Sequence, residues 1–213
     1  MAIARHLILG LTGNLSSGKS TVARMLRDLG ARTIDSDETV RRLLESDGEL
    51  QAEIRAAFGD GVFDGDRIER AALARVVFSD AEALARLERL THPKVGRATE
   101  RLLAKPTLAP ATFIEAIKVV EGPNGERLDG LWVLEAPKEM LVARAVQGRH
   151  MAETDARQRL AAQSSVADKV RRFAQRCPGR PVWPIPNTGT HEQLGARVRA
   201  AWDEVNTARG VDA

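Results

Sequence analysis

The chain has 213 residues, 43% hydrophobic and 29% charged, with a formal net charge of +3 from 32 Lys and Arg against 29 Asp and Glu. This length suits one domain, or one core with an inserted subdomain, and the composition supports a packed core and excludes wholesale disorder. The slight basic excess suits an anionic small molecule and is too weak and dispersed to form a nucleic-acid-binding surface.

Met1-Ala2-Ile3-Ala4-Arg5-His6 runs directly into the apolar segment Leu7-Ile8-Leu9-Gly10-Leu11-Thr12. That leaves no room for a signal peptide. No apolar run approaches the ~20 residues of a membrane-spanning helix. A cytoplasmic protein is expected. The segment leads into Gly13-Asn14-Leu15-Ser16-Ser17-Gly18-Lys19-Ser20. Beyond it, Val22, Met25, Leu26 and Leu29 recur at helical spacing, and Gly30 stands where a helix closes. Strand, G-x-x-x-x-G-K-S and helix together are the pattern of a phosphate-binding P-loop. Gly13 and Gly18 free the backbone to turn its N–H groups inward, and the helix N-terminus adds its positive end. Lys19 is placed to reach β- and γ-phosphates, and the Ser20 hydroxyl to ligate Mg²⁺. Asn14, Ser16, Ser17 and Thr21 complete the candidate phosphate site.

Ala31-Arg32-Thr33-Ile34 predicts a short strand ending in Asp35-Ser36-Asp37. In open α/β sheets, ligands sit outside the carboxyl ends of the strands. On extended backbone two acids two residues apart share a face. One Asp would accept the proton of an attacking hydroxyl, and the other would organise metal-bound water or fix the acceptor. The plainer reading is an Asx turn capping a helix that starts near Glu38. Beside a P-loop the functional reading is preferred.

From Glu38 to Lys105 the pattern is helical throughout, with no strand expected. Val40, Leu43 and Leu44 form one stripe, and Leu50, Ile54 and Phe58 the next. Ile68, Ala72, Val76 and Val77 suggest a third helix. Ser79 or Asp80 caps a fourth, carrying Leu84, Leu87 and Leu90. Thr91-His92-Pro93 is expected to break that helix and start another. Roughly 65 residues is too long for a simple crossover. Residues 38–105 are therefore read as an inserted helical subdomain covering an acceptor. His92 either fixes a turn or acts as a ligand that binds phosphate or orients an acid.

Thr112–Ile117 and Leu131–Leu134 are the third and fourth strands, and Glu115 joins Asp35 and Asp37 as a candidate metal carboxylate. After Pro137, Arg144 and Arg149 flank a hinge-like Gly148, and a helix from about Glu153 to Gln163 carries Arg157 and Arg159. This basic segment, about residues 145–166, is read as a lid whose Arg144 and Arg149 clamp transferring phosphate oxygens. Lys169, Arg171, Arg172 and Arg176 are read as a surface run. Cys177, the single cysteine, excludes an intrachain disulfide framework and a cysteine-based zinc site. Val182–Pro186 is expected at a sheet edge because of its prolines. Thr190 and Gln193 have capping-box spacing for the last helix, and the tail after Arg209 is expected to fray.

In order and spacing, Gly10–Gly13 through Thr21, Ile34-Asp35-Ser36-Asp37, Val77-Phe78-Ser79-Asp80 and Leu90-Thr91-His92-Pro93 are similar to the dephospho-CoA kinase family. Arg144, Ala162-Gln163 and Asn187-Thr188-Gly189 resemble its lid and adenine-side motifs. The likeness runs from about Leu7 to Trp202. It implies an α/β, P-loop kinase-like five-stranded parallel sheet flanked by helices. Residues 1–37 and 106–213 would form the nucleotide-binding core, and 38–105 the substrate insert. It also implies transfer of the ATP γ-phosphoryl to the ribose 3′-hydroxyl of dephospho-CoA, the last step of coenzyme A synthesis. Lys19 and the loop from Ser16 to Thr21 would hold ATP, Asp37 would act as base, and Asn187 would lie near adenine. Asp35, His92 and Glu115 would face the acceptor. The chain departs from the family pattern at Asn14 and Ser16, which replace glycines, and at Glu115–Glu121, where a proline is lost and Lys118 enters. It departs again at Pro186, which replaces an Asp. A nucleoside or nucleotide kinase of the same fold and a non-catalytic nucleotide-binding regulator are the alternative readings.

Overall fold

The structure, a computed structural model, describes residues 5–208. The first four residues of the leading segment and the tail after Arg209 lie outside the described residues. The chain divides into two compact units: Asp35–Lys105, and the remainder on either side of it.

The larger unit is built on β1 (Leu7–Gly13), buried from Leu9 to its end. It is followed by α1 (Lys19–Asp28) and β2 (Arg32–Asp35), and, after the smaller unit, by β5 (Ala111–Glu115) and β6 (Gly130–Glu135). Then come α6 (Lys138–Arg149), α7 (Glu153–Ala161), α8 (Val166–Arg176), β7 (Val182–Pro186) and α9 (His191–Ala208). The expected five-stranded sheet forms in the order β2-β5-β1-β6-β7. The β1–β5, β1–β6 and β6–β7 pairs are all parallel. Pro184 and Pro186 lack N–H donors, and β7 tolerates them because it is an edge strand. Leu9, Leu11, Phe113, Trp132 and Ile185 from the sheet pack with Val22 and Leu26 of α1 and Val198, Trp202 and Val205 of α9. Phe113 meets Trp132 edge-on at 5.1 Å, a favoured aromatic geometry. The capping box closes as its spacing requires: Thr190 N–H donates to Gln193 Oε1 at 3.0 Å, and Gln193 N–H to Thr190 Oγ1 at 3.2 Å.

The smaller unit holds α2 (Ser36–Ser46), α3 (Gly48–Phe58), α4 (Arg70–Ser79) and α5 (Ala81–Leu103). Aspartates cap three of them: Asp35 accepts from Glu38 N–H, Asp47 from Leu50 N–H and Asp80 from Glu82 N–H. Leu44, Leu50, Ile54, Val62, Leu73 and Val77 form its core. Two expectations are corrected here. The unit is not free of strands: β3 (Phe63–Asp64) and β4 (Arg67–Ile68) form an antiparallel hairpin. Each strand is only two residues long, too short to show alternation. Arg55 braces it, lying over the Phe63 ring at 4.0 Å and donating to Gly65 O at 3.0 Å. Nor does Pro93 break the helix, because α5 runs straight through it. An interior proline costs about 3 kcal/mol through a lost hydrogen bond and a clash. Anchors on both sides offset that cost. Leu84, Leu87 and Leu90 pack on the core before it, and buried Lys94 pairs with Glu49 at 2.6 Å and Asp47 at 3.5 Å after it.

Candidate active site

The loop after β1 has the geometry its sequence demands. Gly13 sits at φ +150°, and a Cβ there would meet Ser17 Oγ at 2.6 Å and Leu134 O at 2.9 Å. Gly18 sits at φ +98°, and its Cβ would meet Asn187 Nδ2 at 2.4 Å. Ser17 N–H donates to Asn14 O at 3.1 Å, folding the loop on itself. Gly18 N-caps α1, with no side-chain cap and no acid in the first turn. The positive helix end is therefore not offset locally. Asn14 Oδ1, Ser16 Oγ and Ser17 Oγ are buried without a hydrogen-bond partner among the described residues. Buried polar atoms left so are costly, and the two serine hydroxyls are free to donate to an acceptor such as a phosphate oxygen. Lys19 is 9% exposed, and its Nζ donates to Gly13 O at 3.0 Å and Asn14 O at 3.2 Å. Thr21 follows in the first turn of α1, half-buried.

Glu115 ends β5, paired in register with Leu11 of β1. Ser20 Oγ donates to Glu115 Oε1 at 3.0 Å. A hydroxyl and a carboxylate so placed form a hard-oxygen set suited to Mg²⁺. Among the described residues no group of three or more His, Cys, Asp or Glu could hold a metal. Any cation here would draw on Ser20, Glu115 and phosphate oxygens.

Asn187, 8% exposed, follows β7 and donates through Nδ2 to Ser17 O at 2.8 Å. It is thus a brace under the P-loop, whatever else it touches. Leu15 is buried with Leu141, Val142 and Ala145 of α6 and Ala156 and Leu160 of α7. Its N–H donates to Gln163 Oε1 at 2.9 Å. Arg144 is half-buried, and its Nη1 is buried without a partner among the described residues. Arg149 is exposed at the end of α6. Gly148 is not the hinge: it lies inside α6, and the turn falls at His150, a non-glycine residue at φ +51°. Arg157 is held by its own neighbours, with two hydrogen bonds to Glu139 and one to Glu153. Those bonds hold the Glu139 carboxyl below its ordinary range and raise the Arg157 guanidinium further.

Asp35, Asp37 and His92 belong to the smaller unit. Asp35 does cap α2, as in the plainer reading. Asp37 lies in the first helical turn, so the two acids do not share an extended face. His92 is half-buried within α5. The larger unit brings together Gly13–Thr21, Glu115, Asn187 and Gln163. The last of these was legible in the sequence only as part of a motif, without its partner.

The dephospho-CoA kinase family model matches residues 7–176. The chain belongs to the dephospho-CoA kinase family. A dephospho-CoA kinase of Geobacter metallireducens is 38% identical over 201 residues, covering 93% of this chain and 96% of that protein. One from Thermobifida fusca is 37% identical over 206 residues, with the same coverage. The crystal structure of TT1252 from Thermus thermophilus superposes with a TM-score of 0.74 at 33% identity, over 94% of this chain and 99% of that one. A shikimate kinase from Acinetobacter baumannii shares the fold at a TM-score of 0.55 and 12% identity, covering 97% of both chains. The protein is a P-loop kinase that uses ATP.

Each departure from the dephospho-CoA kinase pattern has a definite setting in the fold. Ser16 stands at φ +57°, where glycine carries no penalty. The Glu115–Glu121 segment is held from α8: Lys169 Nζ donates to Ile117 O at 2.9 Å, Arg172 to Glu121 at 2.7 Å, and Arg176 to Val120 O. Lys169 is therefore no surface residue. It is 1% exposed, and burial pushes its ammonium pKa down. It lies four residues before the buried Phe173, on the same helix face. Cys177 is a buried filler whose thiol lies 3.3 Å from Gly125 O. Pro186 is exposed, and its carbonyl accepts from Arg197 at 2.6 Å. Among the described residues no helix is long and apolar enough to cross a membrane.

Proposed function

We propose that this kinase transfers the γ-phosphoryl of ATP to the ribose 3′-hydroxyl of dephospho-CoA, giving CoA and ADP in the cytoplasm. The observation that carries the reading is the P-loop, with its uncapped helix end and unpartnered hydroxyls, in a chain of this family. Phosphoryl transfer passes through a loose transition state, so positioning and charge neutralisation do most of the work. The amides and side chains from Gly13 to Thr21 hold the phosphates, and Lys19 swings from Gly13 O and Asn14 O to the β- and γ-oxygens. Mg²⁺, held by Ser20 with Glu115 behind it, would neutralise charge on those oxygens. Arg144, whose buried Nη1 has no described partner, offers a donor to the transferred group, and exposed Arg149 a second.

In the same reading, residues 38–105 form the acceptor-binding insert and residues 145–166 the lid. Asp37 accepts the 3′-hydroxyl proton. Asp35, His92 and Glu115 face the acceptor, and Asn187 combines its brace with a place near adenine. The test is one assay with ATP and dephospho-CoA in which ADP release is followed and the product is weighed by mass spectrometry. CoA formed at a rate well above that with nucleoside monophosphates is the expected result. Preference for a nucleoside monophosphate, or ATP binding without turnover, would overturn it.

A further inference from the structure

The leading half of the P-loop is its less regular half. Gly13 and Ser16 both have positive φ, and Ser17 N–H to Asn14 O closes a single turn between them. Beside the pairing of Gly13 with Leu134 of β6, two contacts of Leu15 hold this half from outside. Its side chain, 5% exposed, packs in the cluster that includes Leu160 of α7. Its N–H donates to Gln163 Oε1, 148 residues away in sequence, at 2.9 Å. Gln163 itself follows Ala162, the C-cap of α7, with its N–H to Leu160 O at 3.3 Å. An apolar contact and a hydrogen bond thus tie the same two segments together. Arg157 of α7 is spent on Glu139 and Glu153, and the contacts with the loop come from Ala156 and Leu160 of α7 and from Gln163 just beyond it.

We propose that Gln163 is a positioning residue for the phosphoryl donor: by accepting the Leu15 amide it keeps the leading half of the P-loop in its triphosphate-binding shape. The proposal rests on the ATP-binding role assigned to that loop above. A shielded amide that loses its acceptor is costly to leave unpaired, and a shift of the loop can pair it again. ATP binding must then restore the loop, and affinity falls by the worth of about one hydrogen bond, roughly three- to tenfold. Saturating ATP restores the shape, so turnover at saturation changes little.

Two variants test this. Gln163→Met keeps the length and removes the acceptor, and Gln163→Glu keeps an acceptor at the same reach. Hydrogen exchange at the Leu15 amide is measured in both. For Gln163→Met, ATP affinity is measured by calorimetry without acceptor substrate, alongside melting temperature and kcat at saturating ATP. Gln163→Met should expose the Leu15 amide to faster exchange, weaken ATP roughly three- to tenfold and leave kcat within about twofold. Gln163→Glu should retain Leu15 protection, although its charge beside a triphosphate makes its ATP affinity a poor readout. Unchanged ATP affinity in Gln163→Met, with or without a lower melting temperature, would reduce Gln163 to packing and overturn the proposal. A fall in kcat with ATP affinity intact would put Gln163 on the reacting atoms and overturn it too. If the parent protein binds ATP yet leaves dephospho-CoA untouched, the assigned reaction fails while the calorimetric arm still decides the role of Gln163.

Discussion

The Ser20 hydroxyl donates to the Glu115 carboxylate across 3.0 Å, joining the first turn of the helix after the P-loop to the carboxyl end of the neighbouring strand. Glu115 is 7% exposed, so solvent screens its charge only weakly. Glu115→Gln keeps the shape and removes the charge. The expected outcome is a raised Mg²⁺ requirement and turnover lower on the order of a hundredfold, the scale of losing one strong electrostatic contact in an active site. Glu115→Asp keeps the charge and should retain most activity. A magnesium titration of each variant decides, and an unchanged magnesium dependence in Glu115→Gln would separate Glu115 from the metal.

Lys19 lies folded over the loop, donating to Gly13 O and Asn14 O. Neither bond closes the sheet or the core. Lys19→Ala should therefore cost on the order of a hundredfold or more in turnover with the melting temperature nearly unchanged. Parent-like phosphorylation of dephospho-CoA by this variant would make the site assignment wrong.

Asp37→Asn preserves shape and removes proton acceptance. With Asp37 as base, kcat should fall on the order of 10²- to 10⁴-fold while the KM for ATP holds. A kcat close to the parent's would reduce Asp37 to orienting the acceptor, since a loose transition state asks little of a base.

Ser16 occupies left-handed backbone and buries a hydroxyl without a described partner. The left-handed conformation costs about 1–2 kcal/mol for a residue with a Cβ, against roughly 0.5–1 kcal/mol of extra chain entropy for glycine. Ser16→Gly should then stabilise the fold by about 1 kcal/mol, or roughly 2–4 °C in melting temperature for a chain of this size. A lower melting temperature would show that the Ser16 hydroxyl supports the loop.

What the sequence discloses here follows the range of the forces involved. The P-loop, the capping box at Thr190 and Gln193, and the edge position of the Pro184–Pro186 strand are local, fixed by residues a few positions apart, and all are as read. The partners are not local. Glu115 meets Ser20 across 95 residues and Gln163 meets Leu15 across 148, and only the folded sheet and helices bring them together. Basic residues could be counted but not assigned: Arg157 is spent on Glu139 and Glu153, and Lys169 is turned inward with Phe173. Pro93 misled for the same reason, since packing on both sides of it outweighs its local preference.

Lys169 gives a test by pH. Its Nζ donates to Ile117 O, which also accepts from the Thr12 hydroxyl at 2.9 Å, so the carbonyl keeps a partner if the lysine is removed. Burial lowers its pKa below the ordinary lysine value of about 10.5. Between the lowered folded value and the unfolded one, the unfolded chain binds a proton that the folded chain has released, so stability rises with pH across that window. Below the window the folded protein carries a charge held in an unfavourable setting. Lys169→Met removes that cost, so the variant should be at least as stable as the parent near pH 7, and its advantage should shrink as pH approaches 10.5. Paired melting curves from pH 7 to about 10.5 read the difference directly, since every other titrating group is common to both proteins. A gap constant across that range would mean that Lys169 keeps its ordinary pKa despite its burial, with Glu121 and the Ile117 carbonyl compensating in full.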